Sequence, residues 1–122
     1  MAECSISLPF PVPLSSLTGN SATRGRRMTD RYVSWRKEAG WMLKQQRPHK
    51  FKGEVEIAVF VRPPDRRKRD GDNLWKSILD LLTDHKVIAD DNLFIIAKHS
   101  MERVDDVDAP ECRVVIRERE AA

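Results

Sequence analysis

Apolar residues recur along this chain with two different periods, and the switches between them mark out the elements. Val55, Ile57, Val59 and Val61 alternate with Glu54, Glu56, Ala58 and Phe60, the period-two signature of a central strand, and Pro63-Pro64 close it. Tyr32, Trp35, Ala39, Met42 and Leu43 instead recur at intervals of three and four, which predicts a helix capped by Thr29 or Asp30 and stopped by Pro48. From Asp72 onward, Leu74, Trp75, Ile78, Leu79, Leu81 and Leu82 give a second helix a wide apolar face, leaving Asp72, Lys76 and Asp80 stacked at i, i+4 on the other. Ser5 to Leu8 reads as a short strand cut off by Pro9, Pro11 and Pro13, and two closing strands, Leu93 to Met101 and Cys112 to Ile116, flank a polar hairpin connection from Val104 to Pro110. The order β-α-β-α-β-β predicts a single small α/β (α+β) domain over residues 1–122, a mixed β-sheet covered by two helices, with no internal repeat. Residues 14–27 have no apolar period and are expected to form a flexible or ligand-ordered loop.

A chain of 122 residues holds one modest core, so catalysis and binding must share one surface. No apolar run approaches the length of a bilayer span and the N-terminus lacks a basic segment followed by a long apolar core, so the expectation is a cytoplasmic protein with no membrane contact. Cys4 and Cys112 stand far apart in no ligand spacing, and His49, His85 and His99 are scattered; core thiols and surface or filling imidazoles are expected rather than a disulfide framework or a zinc site. The formal net charge of +3 conceals a segregation: residues 1–69 carry +9 and residues 70–122 carry −6. A basic part suits a polyanion, and a carboxylate-rich part beside it repels one unless cations intervene.

The sign changes abruptly within Arg66-Arg67-Lys68-Arg69-Asp70-Gly71-Asp72-Asn73, at the junction of strand and helix. Carboxylates two apart near a strand end point the same way, so Asp70 and Asp72 are candidates to grip one hard cation, with Gly71 keeping the backbone adaptable. Mg²⁺ takes one or two protein carboxylates and completes its shell with water and phosphate, which leaves positions open for a nucleic-acid substrate. Lys76, one turn beyond Asp72, would hold that carboxylate or stabilise charge on a reacting phosphate. Asp90-Asp91 follow at a polar turn, from which one side chain could reach back; three clustered carboxylates would couple their ionisation to metal binding.

Each feature has a plainer use. Asp-x-Asp at a helix start is a cap with a favourable dipole contact, Asp90-Asp91 a turn, the basic run a solvated loop. Asp105, Asp106 and Asp108 beside Pro110 read as turn residues outside any site. Trp35 falls on the apolar helix face and belongs to the core rather than to a base-stacking platform; Trp41 fits either use. Calcium-loop spacing fails, since Trp75 and Leu81 stand where a glycine and an acid are needed.

Taken together, Asp70-Gly71-Asp72-Asn73, Lys76 and Asp80, then Val87-Ile88-Ala89-Asp90-Asp91 after the helix, resemble the RusA family of Holliday junction resolvases. The proline-rich start and closing strands fit as well, so the resemblance covers most of the chain; it departs at residues 14–20, where the family carries Asn and aromatic residues. The resemblance implies a Mg²⁺-dependent endodeoxyribonuclease, with Mn²⁺ as a substitute and no small-molecule cofactor, in which Asp70, Asp72 and Asp91 bind metal, Lys76 is essential, and Asn73, Asp80 and Asp90 assist. It further implies a homodimer that resolves four-way junctions in recombination and repair by paired nicks giving 5′-phosphate and 3′-hydroxyl ends. Arg66, Arg67, Lys68 and Arg69, with Arg24, Arg26 and Arg27, would hold the arms through phosphates. Two other functions compete: a DNA-binding regulator without catalysis, which explains the arginines but not the acids, and a nuclease of the same chemistry on other branched nucleic acids.

Overall fold

The central strand collects its partners because it is the most regularly alternating segment of the chain. In the computed structural model, which describes residues 2–13, 18–21, 25–27 and 29–119, β1 is Glu3–Leu8, β2 Thr18–Ser21, β3 Gly25–Arg27, α1 Asp30–Gln45, β4 Val55–Val61, α2 Gly71–Asp84, β5 Ile96–Arg103 and β6 Cys112–Glu118. The main sheet has the order β1-β6-β4-β5. β6 runs antiparallel to both β1 and β4, while β5 is parallel to β4. This is the mixed sheet with two helices and the β-α-β-α-β-β order expected from the pattern, and α2 supplies the crossover that a parallel pair requires.

Burial follows the two periods. Val55, Ile57, Val59 and Val61 are buried while the residues between them are half-exposed. Packed in one cluster with them are Tyr32, Trp35, Ala39 and Leu43 of α1 and Ile78, Leu79, Leu81 and Leu82 of α2. Thr29 rather than Asp30 caps α1, its hydroxyl accepting from the Tyr32 N–H at 3.2 Å. Trp35 is a core residue whose indole N–H donates to the Pro9 carbonyl, whereas Trp41 is 64% exposed.

Three expectations are corrected. β5 and β6 form no hairpin: they flank β4 on opposite sides, because the α2 crossover returns the chain parallel to β4 along one edge while β6 takes the other. The connection instead arches over the end of β4, tied down by Val104 N–H to Val61 O and Arg62 N–H to Glu111 O, with Arg62 Nε donating to Ala109 O. β5 begins at Ile96 rather than Leu93, since Leu93 and Phe94 are 83% and 88% exposed in the turn before it. Within the segment expected as a loop, β2 and β3 pair antiparallel, with Thr18 opposite Arg27; such polar residues carry no period from which to read a ladder.

Candidate active site

The chain leaves β4 at Val61, turns through Pro63-Pro64, and delivers the basic run directly onto the first turn of α2. Asp65 organises that run. Its carboxylate accepts from the Arg67 N–H at 2.8 Å and pairs with Arg69 at 2.9 Å, contacts that hold it below the usual carboxylate range, the Arg67 backbone bond contributing most. The Arg69 guanidinium also donates to the carbonyls of Asp65 and Arg67, and it lies over the Phe10 ring at 5.1 Å. It is therefore fixed, while Arg66, Arg67 and Lys68 point into solvent.

Asp70 is the N-cap of α2: one carboxylate oxygen accepts from the Asp72 N–H at 3.0 Å, and the residue is extended, with φ −90° and ψ 117°. The two aspartates thus occupy the cap and first turn of a helix, not a strand end as the spacing had suggested. Asp72 is exposed in the first turn, where the helix dipole favours its charge, and Lys76 is exposed one turn on. Asp80, a further turn along, is half-buried, and desolvation raises its pKa; Asp91 and Asp84 add to the rise, and Lys76 and Arg36 oppose it. The same relation places Asp91 within electrostatic reach of Asp80, a residue in the C-terminal half of α2, itself about 15 Å along the axis from Asp70. Asp90 turns away into its own loop: its oxygens accept from the Asp91 N–H at 2.7 Å and the Asn92 amide at 3.2 Å, and the first of these holds its carboxyl below the ordinary range.

The structure accordingly ties the Asp70 carboxylate to the Asp72 backbone, while Lys76 and Asp91 each lie within electrostatic reach of Asp80. Among the described residues, no three His, Cys, Asp or Glu side chains converge closely enough to hold an ion without rearrangement. Asn73 is half-buried next to Asp72 in the first turn of α2, its carbonyl 3.3 Å from the Ser77 hydroxyl oxygen. Arg24 lies outside the described residues, and of Arg26 and Arg27 only the backbone, in β3, is described. Asp105, Asp106 and Asp108 are exposed, with Asp106 accepting from the Asp108 N–H in a turn. Sequence reasoning passed over Phe10 and Arg103, which line a cleft of about 620 Å³ beside Gly71. Phe10 was legible only as an aromatic between two prolines, and Arg103 not at all.

This framework matches known proteins over nearly all of its elements. The family described as Endodeoxyribonuclease RusA matches residues 11–117, which takes in α1, β4, α2, β5 and nearly all of β6. The chain belongs to the RusA endodeoxyribonuclease family. A crossover junction endodeoxyribonuclease RusA of Aquifex aeolicus (strain VF5) is 35% identical over 80 residues, 62% of this chain. The match spans 60% of that relative's length. A second, the crossover junction endodeoxyribonuclease RusA of Enterobacteria phage HK97, is 30% identical over 95 residues, 77% of this chain and 78% of the relative. No helix among the described residues of this RusA chain is long and apolar enough to cross a membrane.

Proposed function

We propose that the protein is a Mg²⁺-dependent endonuclease that resolves four-way DNA junctions by paired symmetric nicks, acting as a homodimer in the cytoplasm. The observation that carries this reading is the abutment, in a member of an endodeoxyribonuclease family, of a cationic loop anchored at Arg69 and two exposed aspartates, Asp70 and Asp72, at the start of α2.

The donor set suits a hard divalent cation. Asp70 spends one oxygen on its cap and keeps the other, and Asp72 and Asp91 are exposed. Because Mg²⁺ commonly takes only one or two protein carboxylates, the pair on α2 is sufficient to recruit it, and Asp91 would join by movement of its turn. Bound there, Mg²⁺, or Mn²⁺ in its stead, would supply Lewis-acid activation of water and charge neutralisation at the phosphate.

The remaining work falls to the chain. Arg66, Arg67 and Lys68 contact phosphates and set the register of the strand, a role that positions without reading sequence. Arg69, locked by Asp65 and Phe10, offers a preorganised fork to one phosphate. The Lys76 ammonium, exposed one turn beyond Asp72, would stabilise charge accumulating on the phosphoryl oxygens as water attacks in line and the P–O3′ bond breaks, leaving 5′-phosphate and 3′-hydroxyl ends. Asp80, one helical turn beyond Lys76 and within reach of its charge, would hold it on this face, while Asn73 and Asp90 shape the flanking turns. Two subunits related by a two-fold axis would match the near two-fold symmetry of a four-way junction and cut opposed strands.

The test is cleavage of a synthetic four-way junction against linear duplex and single strands, with Mg²⁺, with EDTA and with Asp72→Asn. Paired nicks in the junction alone, abolished by EDTA or the substitution while binding persists, are expected. Binding without metal-dependent cutting would identify a non-catalytic DNA-binding protein, and cutting of flaps and forks at equal rates would replace the substrate.

A further inference from the structure

The cleft beside the acidic pair has a chemistry that phosphate binding alone does not call for. It opens between the C-terminal ends of the parallel strands β4 and β5 and the first turn of α2, the position at which open α/β sheets receive ligands. Its volume, about 620 Å³, lies within the range of small-ligand sites. Its apolar lining includes Val61, Leu74 and Met101, and its charged lining is net cationic, with Arg66, Arg67, Arg69 and Arg103 against Asp65 and Asp105. A duplex backbone lying across the cleft would meet the arginines and leave the apolar lining unfilled. A single nucleotide turned out of its stack presents what the cleft lacks: a flat heteroaromatic face for the apolar lining and an anionic phosphate for the arginines.

Gly71 lines the same cleft and separates Asp70 from Asp72, so the cavity opens directly onto the carboxylates. Arg103 stands on the opposite wall, at the end of β5, with its side chain 71% exposed. Among the described residues its ion-pair partner is Asp105, at 3.2 Å and itself 76% exposed. Such a pair is weak and is readily exchanged for a stronger acceptor. A guanidinium offers a planar fork to a phosphate or to the edge of a base.

We propose that this cleft is a nucleotide subsite, which takes one nucleotide unstacked from the DNA next to the phosphate being cut, its base on the apolar lining and Arg103 on its polar edge or phosphate. The inference rests on the endonuclease reading and deepens it. Unstacking costs least where stacking is already interrupted, so a subsite of this kind favours branch points over continuous duplex.

The experiment uses the full chain with four-way junctions carrying 2-aminopurine at successive positions around the branch, read in Ca²⁺. Binding is expected to brighten one position, because an unstacked 2-aminopurine loses its quenching neighbours. Arg103→Ala should abolish that brightening and, in Mg²⁺, slow nicking by about tenfold. Arg117→Ala, the same loss of charge on the far face of the sheet, should change neither. No brightening at any position, or full brightening in Arg103→Ala, overturns the subsite. Nicking in Mg²⁺ is scored separately: its absence from the wild type refutes the endonuclease reading, while the fluorescence still decides whether a nucleotide enters the cleft.

Discussion

Asp70 is asked to do two things, and they can be separated. As the N-cap of α2 it satisfies the otherwise unpaired Asp72 N–H at 3.0 Å, and as a carboxylate it is a proposed metal ligand. Asparagine caps about as well as aspartate, whereas alanine cannot, a difference of typically ~1 kcal/mol. Asp70→Asn should therefore leave thermal stability nearly unchanged, apart from a few tenths of a kcal/mol of dipole interaction. Asp70→Ala should lower the melting temperature by roughly 3–6 °C for a domain of this size. Both should lose Mg²⁺-dependent junction nicking while still binding the junction. The assays are thermal unfolding by circular dichroism and gel-resolved nicking. Equal melting temperatures for the two variants would show that the side-chain cap contributes nothing to α2, and nicking by Asp70→Asn at the wild-type rate would remove Asp70 from the metal set.

The other expectations concern the supports of the site. Ser77→Ala leaves the Val12 carbonyl without the buried hydroxyl that donates to it at 2.6 Å, so urea unfolding should show a loss of ~1–3 kcal/mol. Asp80→Asn should stabilise the protein near neutral pH. Its folded-state pKa is raised, burial being the main cause, so the fold binds the extra proton, and stability falls as pH rises from the ordinary carboxylate value through the raised one. The gain should vanish in acid, below both values, and a gain that persisted there would mean that charge was not its source. Cys112 is fully buried with its thiol pushed up to about 12; a thiol reagent should label the half-buried Cys4 in the native protein and reach Cys112 only on unfolding.

What the sequence revealed and what it withheld divide along a physical line. The β4 alternation and the α2 apolar stripe were legible because each is a local period enforced by a buried face. The pairing of β5 with β4 rather than with β6 was not, because strands separated by a short polar connection look alike whether they pair or flank a third strand. The acidic residues were identified by spacing and resemblance, but their distribution depends on helix geometry: with Asp70 committed to a cap, the line from Asp72 to Asp80 runs up the helix instead of closing into a cluster. By local pattern Asp90 and Asp91 were indistinguishable as neighbours in a turn, and only the family resemblance separated them. Hydrogen bonding separates them, by turning Asp90 onto its own backbone and leaving Asp91 exposed.

The site also depends on a segment that no local pattern connects to it. Phe10 lies in a proline-rich stretch with no partner for a ladder, yet its ring backs the Arg69 guanidinium and its N–H is held at 2.8 Å by Glu111, which lies just before β6. Two residues on, Val12 is buried, and its carbonyl takes the hydroxyl proton of Ser77, a polar side chain completely buried on α2. The prolines suit this route because an extended chain with few N–H donors can cross the start of a helix without leaving many backbone groups unsatisfied. Ser77 thus fixes Val12, Val12 sets the position of Phe10, and Phe10 together with Asp65 aligns Arg69 one residue ahead of the cap at Asp70. On this reasoning a loss at Ser77 should do more than destabilise the fold: it should weaken junction binding through Arg69 under conditions where the variant is fully folded. A Ser77→Ala protein that bound normally at a temperature well below its melting point would show that Arg69 is held by Asp65 alone.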